Sequence, residues 1–184
     1  MNNRGKTRLL KLSKIDAARR QIESAIWLWF LDADIVSVHT LTAAAHRILL
    51  ELSKHRGVTQ FPCITEDPPV TQAKGTKRAF RDAETYFKHA KNAETYELNE
   101  VWTELYLFDA VMTYTNLFDS ESGNALMSTF VVKFAVHRPD LFAPNAFPFL
   151  ERKVDHMFCI DRLEKLSKIE FLKEFFGFFG RPVN

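Results

Sequence analysis

A chain of 184 residues with 46% hydrophobic and 26% charged side chains can bury a full core and is too apolar for an intrinsically disordered segment. Its densest apolar run, residues 25–31, falls far short of the ~20 residues needed to cross a bilayer, which excludes the membrane as a partner. Net charge is +2, yet residues 1–20 carry seven basic side chains against Asp16 alone and the remainder is mildly acidic. The pattern predicts a basic arm over residues 1–12 on a single domain over 13–180. The N-terminus lacks the apolar stretch of a secretory signal. Cys63 and Cys159 show neither CxxC spacing nor a disulfide framework. A reducing cytoplasm is therefore the expected compartment.

The first element is announced by Ser13-Lys14-Ile15-Asp16, a capping box with Asp in the acidic position. Ile15, Ala18, Ile22, Ala25 and Trp29 follow at helical spacing. Residues 31–34 form a break, and Asp34 is a suitable N-cap for a second helix reaching Lys54, with Gly57 as its stop. So short a connection predicts an antiparallel helical hairpin. Residues 58–75, with Pro62, Pro68 and Pro69, read as one long loop. A third helix is expected over Thr76–Ala90, burying Phe80, Ala83 and Phe87. A fourth starts near Asn99 and presents Trp102, Leu105, Phe108, Val111 or Met112, and Thr115. A fifth spans Ser122–His137 and stops at Arg138-Pro139. Pro148 opens a sixth, and one more helix ends at Gly177 or Gly180. Alternating strands, internal repeats and low-complexity segments are absent from the sequence. The predicted fold class is all-α, a single bundle of about six or seven helices.

The second helix carries the sharpest candidates. Leu41, Ala45, Ile48 and Leu52 form the expected core stripe, and Thr40, Arg47, Glu51 and Lys54 face water. His39 and His46, seven residues apart, point the same way to within ~20° and share a second, largely apolar face with Ala43 and Leu50. They are separated by ~10.5 Å along the axis, too far to hold one metal ion. Each is expected to be buried against a hydrogen-bond partner. On the third helix Glu84 lies near the apolar face and needs a partner, next to Lys88, while His89 projects elsewhere with Arg78, Asp82 and Thr85. Glu97, Glu100, Glu104 and Asp109 read as a solvated acidic face. The binding candidates are thus His39, His46, Glu84, Lys88 and His89. No metal site, cofactor or catalytic residue is specified by the sequence.

The segments Asp34-Ile35-Val36-Ser37-Val38-His39-Thr40-Leu41, Phe87-Lys88-His89-Ala90 and Leu107-Phe108-Asp109-Ala110-Val111 resemble those of a family of uncharacterised bacterial helical proteins. The resemblance implies a bacterial origin and a recurring pattern that includes His39 and Lys88-His89; it implies no activity. Helical ribonucleases of the HEPN kind have a similar architecture, but the Arg-to-His spacings here (Arg47–His55, Arg81–His89, Arg152–His156) do not fit their motif.

Three functions stay open on these grounds. The leading one is a non-enzymatic binding or interaction protein. The others are a metal-binding or hydrolytic protein that gathers His39, His46 and His89, and nucleic-acid binding through the basic arm with Lys74, Lys77, Arg78 and Arg81. A homo-oligomer is expected as well. In the C-terminal helix Ile169, Leu172, Phe176 and Phe179 make one stripe and Phe171, Phe175 and Phe178 a second, so one stripe is expected to dock on its own chain and the other on a second copy.

Overall fold

The computed structural model describes residues 9–56, 73–89, 95–118, 124–142 and 160–179, and these form seven α-helices and a 3-10 turn. They are α1 (Lys14–Phe30), α2 (Ile35–Arg56), α3 (Ala73–Lys88), α4 (Glu100–Leu117), α5 (Ala125–His137), the 3-10 turn Pro139–Leu141, α6 (Ile160–Lys165) and α7 (Lys168–Phe179). Among the described residues no strand is present. The protein is an all-α bundle. The basic arm through Arg8, most of the expected long loop, Pro148 and both cysteines lie outside the described residues.

Short polar side chains set most of the helix starts. Ser13 Oγ accepts the Asp16 N–H at 3.0 Å, and the Asp16 carboxylate accepts the Ser13 N–H at 3.3 Å, the reciprocal pair that satisfies otherwise orphaned donors. Asp34 accepts the Ser37 N–H at 2.9 Å. Asn99 and Asn124 cap α4 and α5 in the same manner. Hydrogen bonds from Ser13, Ser37 and Ser167 hold the carboxyls of Asp16, Asp34 and Glu170 below their ordinary range. Between α1 and α2 the chain reverses through Asp32, whose φ of 48° is a left-handed value that a short polar side chain tolerates.

Several boundaries differ from the sequence reading. α3 begins at Ala73 rather than Thr76, because Ala and Lys favour helix and one glycine, Gly75, costs only ~1 kcal/mol. α5, expected from Ser122, is described from Ala125, with Asn124 in the capping position. The C-terminal helix is a single element, as expected, and the short α6 precedes it, the two meeting at Leu166-Ser167. Ser167 and Glu170 form a second capping box there, with Ser167 N–H to Glu170 at 2.9 Å and Glu170 N–H to Ser167 at 3.3 Å.

α1 packs along α2, α2 along α4, and α5 against α7. α2 is therefore enclosed on two sides, and its fully buried line runs through Val38, Thr42, Ala45 and Leu49. Leu41, Ile48 and Leu52 sit at the flank, half-buried. The buried line lies to one side of the expected Leu41–Ala45–Ile48–Leu52 stripe, because a threonine, Thr42, occupies its centre. α4 is buried around most of its circumference, with Thr103, Leu105, Tyr106, Leu107, Phe108, Ala110 and Val111 all enclosed, as expected of a central helix. Trp29 meets the edges of Phe30 and Phe130 at 4.9 Å each, and Phe108 stacks on Phe134 at 5.1 Å.

Two polar side chains tie the outer helices to this core. Glu104 does not belong to a solvated face: it accepts the Trp29 Nε1–H at 2.7 Å and a hydrogen bond from Lys168 at 3.5 Å. Lys168 also pairs with Asp32 at 3.0 Å and lies 4.3 Å from the centre of a Trp29 ring. Lys133 is only 2% exposed. Its ammonium donates to the Leu163 and Leu166 carbonyls at 3.2 and 2.6 Å, the acceptors left open where α6 ends. Burial lowers the Lys133 pKa, with Glu164 opposing and Lys168 reinforcing the shift.

The C-terminal helix corrects the expected dimer surface. Phe171 and Phe175 are buried together with Leu172, their rings stacked at 4.4 Å and the Lys133 ammonium 5.4 Å from the Phe171 ring. Within the described side chains, Phe171 and Phe175 of the second stripe dock inside the same chain beside Leu172 of the first, where α5 packs against α7. Phe176 is left at the surface, 39% exposed.

Candidate functional site

The seven-residue spacing of His39 and His46 turns both imidazoles toward α4, where they are 1% and 7% exposed. His39 Nδ1 is hydrogen-bonded to Thr103 Oγ1 at 3.1 Å, and His46 Nε2–H donates to Asp109 Oδ2 at 2.6 Å. The near-constant offset between partners, 64 and 63 positions, means that α2 and α4 run parallel. Tyr106 lies between the two pairs, its ring 5.5 Å from His39 and 4.8 Å from His46. Phe87 of α3 covers His39 at 5.7 Å.

α3 adds the charges. The Glu84 side chain, 11% exposed, accepts from Lys88 and from Arg47 at 3.5 Å. Burial alone would raise the Glu84 carboxyl, but the hydrogen bonds and charges of Lys88 and Arg47 outweigh it and hold it below its ordinary range. Lys88 and Arg47 themselves reach the surface, with 42% and 69% of their side chains exposed. Glu84 is thus held ionised by two cations, which weakens it as a base. His46 is the group with a base-like setting, because a carboxylate orients its ring from one nitrogen.

Helix α4 supplies what the sequence reading missed. Thr103, Tyr106 and Asp109 follow one another at three-residue spacing along α4 and meet the histidine face of α2. Asp109 is no member of a solvated face, since its carboxylate is committed to His46; Glu97 and Glu100 do remain exposed. A usable signal is the polar series Thr103, Tyr106 and Asp109 at three-residue spacing in a stretch whose other members are largely Leu, Phe, Ala and Val. His89, by contrast, is exposed at the end of α3. Among the described residues no three or more His, Cys, Asp and Glu side chains converge as a metal site, so His39, His46 and His89 do not assemble into one.

The Tyr106 phenol is pushed far above its ordinary value, first by burial and then by the negative charges of Glu84 and Asp109, with Arg47 opposing. A phenol whose folded value is raised contributes stability that is complete below the unfolded pKa of ~10 and is lost as pH rises toward the folded value. Lys133 acts with the opposite sign, because a depressed lysine pKa adds stability as pH rises. The informative quantity is therefore the difference between the parent and Tyr106→Phe. Between about pH 9 and 11 the thermal midpoint of the parent should fall more steeply than that of Tyr106→Phe; parallel slopes would show that the hydroxyl is not enclosed.

Fold and site together define a helical-bundle protein with a polar seam between two parallel helices and a charged edge contributed by a third. Compared with known protein families, curated proteins and solved structures, the chain matches none. Its functional reading rests on its own geometry. No described helix is long and apolar enough to cross a membrane.

Proposed function

We propose that the protein is a non-enzymatic binding protein of the bacterial cytoplasm, recognising a small polar ligand where α2, α3 and α4 meet. One observation carries this reading: His39, His46, Tyr106 and Asp109 are gathered into one enclosed seam, and the Glu84 charge cluster borders it closely enough to act on the Tyr106 phenol. Enclosed polar groups with surface-reaching cations beside them are the usual makings of a ligand site. Arg47 and Lys88 favour a ligand with a negative or acceptor group, and the His46–Asp109 pair a group that exchanges hydrogen bonds with an imidazole. The bacterial cytoplasm rests on the sequence resemblance and on the cysteine pattern. Self-association belongs to the same reading, on a surface other than the Phe171–Phe175 stripe. Nucleic acid is the less favoured partner.

The 2.6 Å His46–Asp109 bond supports one second reading, a hydrolytic protein in which Asp109 orients His46 as general base. It needs neither His89 nor a metal ion. Both readings meet in one experiment. A library of small polar fragments is titrated against the protein with histidine ring resonances observed by NMR, in the parent and in Asp109→Asn. Binding fragments should shift the His46 ring, and Asp109→Asn should weaken them at least tenfold, about 1.4 kcal/mol, while its circular dichroism stays helical. No fragment reaching His46, or equal binding by Asp109→Asn, would overturn the binding reading. Turnover of chromogenic esters that vanishes in His46→Gln would establish the hydrolytic one instead.

A further inference from the structure

The outward face of α1 carries an unusual arrangement that the ligand site does not use. At ~100° per residue, Ser13, Ala17, Arg20, Ser24, Trp27 and Leu31 fall along one side of the helix, opposite the buried Ala18, Ile22, Ala25 and Trp29. At the carboxyl end Trp27 and Leu31 are 41% and 57% exposed, and the exposed Phe176 of α7 extends the patch, its ring 5.8 Å from Trp27. At the amino end Leu9, Leu10 and Leu12 are exposed as well. The middle consists of small or charged residues. Two apolar patches therefore lie ~25 Å apart, at the two ends of one 17-residue helix.

The face is self-complementary. Its positions are symmetric about residue 22: a two-fold axis there sets Ser13 against Leu31, Ala17 against Trp27 and Arg20 against Ser24 of a second, antiparallel copy. A small residue meets a large one at each step, which is the condition for close helix packing. The same rotation sets Leu12 beside Leu31 of the other copy, at the edge of its Trp27–Leu31–Phe176 patch, and carries residues 9–11 past it toward the α1–α2 turn. It also sets Lys11 and Lys14 beside the turn holding Asp32 and Asp34, at the negative end of the α1 dipole. Asp32 keeps 71% of its side chain exposed even while it pairs with Lys168.

We propose that α1 is the self-association face of this protein, pairing antiparallel with α1 of a second copy so that the apolar ends and opposite charges of the two chains cover each other. The occupant is a second copy because the face offers both halves of the contact, apolar and electrostatic, in two-fold register; this is an isologous interface. One helix face with its flanking leucines and Phe176 lies at the small end of the range for specific interfaces, so the dimer is expected to dissociate at micromolar concentrations.

Sedimentation equilibrium of the full chain tests the proposal, with Trp27→Glu and Ser24→Arg as variants. Ser24 is exposed and its replacement leaves the core untouched, so that variant decides the matter even if Trp27→Glu folds poorly. The parent should be largely dimeric at about 100 µM, each folded variant should weaken the dimer at least tenfold, and added salt should weaken the parent. A monomeric parent at that concentration, or a dimer insensitive to both substitutions, would overturn the assignment. Fragment shifts at His46 should be the same in Ser24→Arg as in the parent, which keeps this result separate from the fate of the ligand site.

Discussion

Trp29→Ala is expected to destabilise the protein by about 3–5 kcal/mol, the cost typical of removing a large aromatic from a packed core. Three losses coincide at that position. Trp29 is 2% exposed, so truncation leaves a cavity lined by Phe30 and Phe130. Its indole N–H satisfies Glu104 at 2.7 Å, so the half-buried carboxylate keeps only Lys168. The ring under the Lys168 ammonium disappears, which weakens the tie between α7 and α1. Trp29→Phe retains most of the apolar volume and should cost markedly less, chiefly through the lost indole hydrogen bond to Glu104. Urea unfolding followed by far-ultraviolet circular dichroism compares the two. A loss below about 1 kcal/mol for Trp29→Ala would mean that this junction is not part of the cooperative core.

Lys133→Met presents a different balance. Exchanging a buried ammonium for an apolar side chain of similar length removes a desolvation cost, and such exchanges are often neutral or stabilising. Here the ammonium also satisfies the Leu163 and Leu166 carbonyls, and leaving buried acceptors unpaired costs about 1–3 kcal/mol each. The second effect should win, giving a net loss of about 2–4 kcal/mol. That loss should be focused on α6 and α7. Hydrogen exchange should show their amides opening before those of α2 and α4 in the variant, whereas the parent protects α7 through its contact with α5. Uniform loosening of the whole bundle would contradict this local role. Parental stability would show that other groups can serve those carbonyls.

The same two residues show where reading from sequence succeeds and where it stops. Trp29 was legible as core because it falls on the Ala18–Ile22–Ala25 line, and periodicity needs only local information. Its partner Glu104, 75 positions away, was not. In sequence Glu104 looks like one of four acidic residues on a surface, and only the packing of α1 against α4, with Lys168 reaching in from α7, removes it from water. Asp109 was misread for the same reason. His39 and His46, by contrast, were expected to be buried and partnered on helical phase alone, and both are. Phase could not supply Thr103, Tyr106 or Asp109, because the register of α2 against α4 is a property of two helices with α3 between them in the chain. Helical phase alone sends the Phe171–Phe175 stripe to a second copy, because it does not reveal that α5 offers this helix a docking surface within the chain.

By itself, then, the sequence determined the helical class, the caps at Ser13 and Asp34, the start of α4 near Asn99, the α1–α2 hairpin and the inward turn of the two histidines. Each of these depends on interactions within about one helical turn, or on a stripe that any apolar partner would bury. Tertiary structure alone decided that Lys133 would be buried and that Phe171 and Phe175 would be covered from within. It also decided that His46 would meet Asp109 and that Glu84 would be neutralised by two cations. Those outcomes depend on which surfaces face each other. A charged side chain is stable on either side of that choice, in water or against a partner, so its identity does not reveal which one the fold has made.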